Sequence, residues 1–216
     1  GLDEKVALAL SWKEKGFKAI KLQIGYGMDE DIRIMRALRE ALGADFKLMI
    51  DAHWNYTVAQ AVKLAHGLEE LDVEFLECPL NPENLAGYSE LAATVSIPVT
   101  LGEADRTHWR YKDILDRNSC DIVQPDVGRC GISELMRISE LAELYGKPHL
   151  GAHYTHGKTY EALSPRCCVC GRRAGSVHHV AHRSWGETFR LVTPCGAWDL
   201  RSPLFCLCGS GTNGCH

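Results

Sequence analysis

The chain has 216 residues, 45% of them apolar and 24% charged, with a net charge of −4. That is the balance of an ordinary globular protein. It gives no electrostatic footing for nucleic acid or an anionic membrane as partner, and no apolar run approaches the roughly 20 residues of a membrane span.

The N-terminal segment GLDEKVALALSWKEKG opens on acids and carries no secretory pattern. From there to residue 157, helix and strand patterns alternate. Helical patterns fall near 3–15, 29–42, 57–70, 86–94, 108–118 and 131–145. Thr57 with Gln60 forms a capping-box pattern. Gly43 and Gly146 stand where a helix C-terminus wants a residue free to take positive φ. In the last helix Ile132, Leu135, Ile138, Leu141, Ala142 and Tyr145 make one apolar stripe. Between the helices lie the runs KAIKLQI, FKLMID, VEFLE, IPVTLG, CDIVQ and KPHLGA. They are mostly apolar rather than alternating, as befits parallel strands covered on both faces. The alternation predicts an α/β fold with a parallel sheet; a doubly wound open sheet is the alternative to a barrel.

Lys21, Asp51, Glu77, Glu103, Asp126 and His153 recur at intervals of 30, 26, 26, 23 and 27 residues, each at or just past the end of an apolar run. That interval is one strand, one helix and two loops. A parallel barrel places the C-terminal ends of all its strands on one rim, which favours the barrel. Three carboxylates (Asp51, Glu77, Glu103) converging on a point repel unless a cation lies between them, and hard oxygen donors with room for water favour Mg²⁺. Taken singly, each reads more readily as a solvated loop acid. An aspartate bonded to one imidazole nitrogen fixes the tautomer and raises the basicity of the other. Asp126 and His153 suit that pairing, the alternative being a structural histidine.

The pattern stops near Gly157. Residues 1–157 hold 17 Lys and Arg against 25 Asp and Glu; residues 158–216 hold seven against three. Cys78, Cys120 and Cys130 are spread through the first part, which suits free thiols and a cytoplasmic location. Seven cysteines crowd the last 59 residues, where Ile and Met are absent. This Cys/Arg/Gly-rich stretch shows no helical or strand period. The composition points to a non-native, disordered tail such as a shifted reading frame encodes. Cys167 with Cys170, and His178 with His182, leave open a zinc module that binds a partner.

The segments GFKAIKLQIG, LMIDAHWN, FLECPLNPEN, VTLGEADR, DIVQPDVGRCGISE and GAHYTHG resemble the mandelate racemase subgroup of the enolase superfamily over residues 1 to about 157. The resemblance implies a partial (β/α) barrel, strands two to seven, with the capping domain, first strand and eighth strand absent. It implies Mg²⁺ on Asp51, Glu77 and Glu103, a His153–Asp126 dyad as α-proton base, and a small-molecule carboxylate as substrate. Lys21 matches the first lysine of the family's K-x-K motif; Gln23 stands at the second, on the substrate side, and cannot take a proton at neutral pH. That disfavours a two-base racemase. His53, two residues past Asp51, matches a D-x-H in which galactonate- and mannonate-type dehydratases keep the acid for the leaving hydroxyl. The expected activity is dehydration of a sugar acid to a 2-keto-3-deoxy acid, by a parent that assembles as a homo-oligomer, with little turnover by this chain alone. Epimerase, racemase or cycloisomerase chemistry and a catalytically dead remnant are the alternatives.

Overall fold

The computed structural model describes residues 1–150 and the backbone of two short strands, Val180–Ala181 and Phe189–Val192. In chain order the elements are α1 (Leu2–Glu14), β1 (Ala19–Gln23), α2 (Met28–Leu42), β2 (Lys47–Asp51), α3 (Val58–Leu68), a 3-10 turn (Glu69–Leu71), β3 (Val73–Glu77), α4 (Leu85–Thr94), β4 (Val99–Leu101), α5 (His108–Asp116), β5 (Ile122–Val123), α6 (Val127–Leu144), β6 (Val180–Ala181) and β7 (Phe189–Val192).

β1 to β5 lie side by side and parallel in sequence order. Each is reached through a helix, as a parallel crossover requires. Lys21 stands opposite Met49, Asp51 opposite Glu77, and Glu77 opposite Thr100, so these residues share one face. Period-2 alternation then sorts two cores. Ile20, Leu22, Leu48, Ile50, Leu76, Val99 and Leu101 face the helices and pack with Ile34, Leu38, Leu64 and Ile114. Ala19, Met49, Phe75, Ile122 and Leu150 form a separate buried cluster on the opposite, barrel-interior face. This apolar floor lies below the polar rim.

Local chemistry ends the helices where the sequence predicts. Thr57 accepts from the Gln60 N–H, and the Gln60 side chain accepts from the Thr57 N–H. Gly43 (φ 82°) and Gly146 (φ 66°) follow α2 and α6 in the left-handed region. Arg39, near the end of α2, donates to the carbonyls of Phe46, Leu71 and Asp72, tying the loops beneath β2 and β3.

At the sixth run, Val123 bridges to His149 in parallel and the Leu150 N–H donates to the Val123 carbonyl at 2.8 Å; the rest of the run lies outside the described residues. Two expectations change. The stripe of α6 is only partly covered: Leu135, Ile138 and Ala142 are buried, whereas Ile132 is 71% exposed. Gly131 (φ 76°, ψ 165°) breaks the helix just before Ile132, and α5 is the helix that packs on α6 among the described residues. Secondly, the segment past residue 157, which shows no strand period in the sequence, holds β6 and β7. β7 pairs antiparallel with β1, and β6 with β7. The free edge of β1 offers unpaired N–H and C=O groups, and Phe-Arg-Leu-Val is rich in β-forming residues. His153, Cys167, Cys170, His178 and His182 lie outside the described residues.

Candidate functional site on the C-terminal rim

The rim is built unit by unit. β1 carries Lys21 and Gln23; Gln23 pairs in register with Asp51. Lys21 is buried, and its ammonium donates to the Glu77 carboxylate while lying 3.7 Å from Asp51 Oδ2. Asp51 and Glu77 end β2 and β3 and are fully buried. Glu103 follows Gly102 at the end of β4 and is 9% exposed. Gly102 has φ 132°, and a Cβ there would meet the Tyr111 ring and the Gln124 carbonyl, so only glycine turns the chain here.

The chain past Asp51 is strained. His53 and Trp54 both have positive φ, 43° and 64°, and the Asn55 N–H closes the turn on the Ala52 carbonyl at 3.1 Å. That sign pattern belongs to a type I′ turn, which favours Asn and Gly. Two larger residues there cost about 1–3 kcal/mol each. The turn keeps its shape because it runs along the end of β3 and the segment leaving it: Ala52, Trp54 and Tyr56 N–H groups donate to the carbonyls of Glu77, Cys78 and Pro79. It presents the His53 ring, stacked on Trp54 at 4.6 Å, with Nδ1 3.9 Å from Glu103 Oε1.

Burial of Glu77, with Asp51 and Glu103 repelling its charge, outweighs the Lys21 ammonium and raises its carboxyl to about 7. The Cys78 thiol is pushed well up by burial and by the same carboxylates. The rim is therefore short of positive charge although Lys21 is in it.

Among the described residues no three His, Cys, Asp or Glu side chains are drawn into a ready metal cluster; the Lys21 ammonium lies beside two of the three carboxylates. The donor set nevertheless fits a hard divalent cation: three carboxylates, one with a buried oxygen, Glu77 Oε1, that has no hydrogen-bond partner among the described residues.

Asp126 lies three residues past β5 and caps α6, accepting the Gly128 N–H at 2.7 Å, with Arg129 Nε 3.9 Å from its other oxygen. Its expected partner His153 lies outside the described residues. Sequence reasoning missed the supports of the rim. Asp105 is buried and takes Arg110 Nε at 3.0 Å, while Arg110 also reaches the Pro82 carbonyl, joining the loops after β3 and β4. Asp31, in the first turn of α2, is fully buried and accepts from Gly25, Tyr26 and Tyr56. In the sequence it reads as one of three solvated acids at a helix start; no local signal marks it.

The profile of the enolase C-terminal domain-like family matches residues 4–192 and so runs past residue 157. The chain is 39% identical over 135 residues to a D-galactarolactone cycloisomerase of Agrobacterium fabrum, 62% of this chain and 36% of that one. It is 38% identical over 144 residues to an arabinonate dehydratase of Saccharolobus solfataricus, 66% of this chain and 38% of that one. The chain thus spans well under half of these relatives' length. Among solved structures, the L-talarate dehydratase from Polaromonas sp. JS666, complexed with Mg and L-glucarate, superposes with a TM-score of 0.67 at 26% identity, over 72% of this chain and 44% of that one.

Proposed function

The chain belongs to the enolase C-terminal domain-like family, and we propose that its rim serves Mg²⁺-dependent removal of an α-proton from a sugar-acid carboxylate, followed by loss of the β-hydroxyl as water. The observation that carries this reading is the His53 imidazole, held 3.9 Å from Glu103 on the rim that also bears Lys21, Asp51 and Glu77. In this proposal Asp51, Glu77 and Glu103 hold the cation, which when bound stabilises negative charge on the substrate carboxylate as the α-proton leaves.

The remaining roles belong to the chain. Lys21 and Gln23 bind the substrate, Lys21 also offering a second positive charge near the carboxylate. His153 takes the α-proton, its tautomer set by Asp126. His53 hands a proton to the departing hydroxyl; a positioned group of this kind typically contributes about 10²–10⁴-fold. The Gln23 amide cannot take up a proton at neutral pH, which speaks against a two-base racemase. A cycloisomerase reading is favoured by one observation, the 39% identity to the Agrobacterium enzyme; it uses the same base and needs no hydroxyl to leave.

The test is a screen of sugar acids with Mg²⁺ in D₂O, run on this chain and on a full-length relative with the same rim residues. The 2-keto-3-deoxy product is followed by semicarbazone formation and α-deuteration by NMR. Dehydration by the relative, with little turnover by this chain alone, is expected. Epimers or lactones as the only products, or α-deuteration unchanged by His153→Asn, sinks the dehydratase assignment.

A further inference from the structure

Two rim loops that are separate in sequence are tied into one piece. The loop after β1 (Gly25, Tyr26) and the turn after β2 (His53 to Tyr56) meet at Asp31 of α2. Asp31 Oδ2 accepts the Gly25 N–H at 3.1 Å, Oδ1 accepts the Tyr26 N–H at 3.2 Å, and Oδ2 also takes the Tyr56 hydroxyl. The Asp31–Tyr56 bond is out of water: Asp31 is fully buried and Tyr56 is 9% exposed. Gly25 (φ 122°) presses on Asn55 so closely that a Cβ would run into its amide. Asn55 in turn donates to the Ala52 carbonyl at 2.8 Å, bracing the turn that holds His53 and Trp54.

A turn with two left-handed, non-glycine residues relaxes unless its surroundings over-determine it. The carbonyls of Glu77, Cys78 and Pro79, at and just past the end of β3, hold one side of the turn. The other side is held by the Asp31–Tyr56 bond and the Gly25–Asn55 contact. A buried carboxylate serves here better than a neutral group, since charge-assisted bonds are the stronger ones and their loss leaves a buried charge unsatisfied.

We propose that Asp31 and Tyr56 are positioning residues that lock the loop after β1 to the His53–Trp54 turn, fixing the His53 imidazole on the rim. The inference rests on His53 being the proton donor of the reaction above, but the fixing of its ring is testable without turnover. The stack on Trp54 places the His53 ring protons in the ring current of the indole. Their resonances, identified by their loss in His53→Gln, are displaced upfield in the wild-type chain.

In Tyr56→Phe, which removes a single oxygen, the displacement is expected to collapse. The amides of residues 53–56 are expected to exchange about tenfold faster, the loss of roughly one hydrogen bond, while those of Leu48 to Ile50 stay protected. Asp31→Asn is expected to do the same and also to release the Gly25 and Tyr26 amides. A folded Tyr56→Phe with His53 resonances and 53–56 protection at wild-type values overturns the proposal. So does global unfolding of Tyr56→Phe, which would make the bond a general support, and so does a wild-type His53 without the upfield displacement. The expected shift displacement and its collapse in Tyr56→Phe, with no dehydration in any sugar-acid screen, defeat the dehydratase reading and leave the positioning role standing.

Discussion

Replacing Lys21 by methionine keeps the apolar stem and deletes the one ammonium beside two buried carboxylates. The side chain is 5% exposed, and its partners Asp51 and Glu77 are 1% and 0% exposed. Removing one partner of a buried ion pair costs about 3–5 kcal/mol; for a chain of this size that is a fall in Tm of roughly 6–20 °C. Part of the loss is recovered by protonation. Glu77 already titrates at about 7, raised from 4.5 chiefly by burial, and Lys21 is the group holding it down. Without Lys21 it rises further. The sign follows from linkage: a carboxyl raised in the folded state keeps a proton that the unfolded chain has released, so stability falls as pH climbs from 4.5 through the folded value. The deficit of Lys21→Met is therefore larger at pH 8 than at pH 5.5. If the three carboxylates hold Mg²⁺ as proposed, the ion supplies the missing charge and is expected to add about 2.7 kcal/mol at 100 times its Kd. The assay is thermal unfolding followed by circular dichroism at both pH values, in EDTA and in Mg²⁺. A variant that melts with the wild type at pH 8 in EDTA refutes the role of Lys21 as counter-charge.

Other expectations follow from the same structure. Phe75→Ala empties the apolar floor beneath the rim and should cost about 3–5 kcal/mol in urea unfolding; a loss below about 1 kcal/mol would place Phe75 outside a packed interior. Glu134 accepts the His108 N–H at 2.8 Å and meets His108 Nδ1, and its carboxyl is lowered to about 2. Its contribution is present above about 4.5 and is lost as pH falls toward 2, so Glu134→Gln should flatten the acid limb of the stability profile between those values; an unchanged limb removes Glu134 from the account. In an active full-length relative, the substitution equivalent to His53→Ala should slow dehydration by about 10²–10⁴-fold while α-deuteration continues; equal loss of both rates would make His53 part of the base or of the binding site.

The sequence by itself determined the elements and the rim. Apolar runs divided by helical periods locate β1 to β5 to within one or two residues, and the spacing of Asp51, Glu77 and Glu103 puts them at or just past strand ends, with Lys21 two residues short of the end of β1, because a repeating unit of constant length returns each strand end to the same edge. The Thr57 cap and the two positive-φ glycines were legible for the same reason: their chemistry is local. What only the tertiary structure decided is long-range. That Lys21 turns to Glu77, 56 residues away, depends on register across β2. Asp31 looked like a surface acid because nothing within its own helix shows that Tyr56 arrives over it. The His53–Trp54 turn defies local preference and is held by β3 and by the loop after β1, contacts that sequence spacing does not encode. The antiparallel β7 on the edge of β1 is of the same kind. Strand edges pair with whatever chain reaches them, and only the folded backbone shows which chain does.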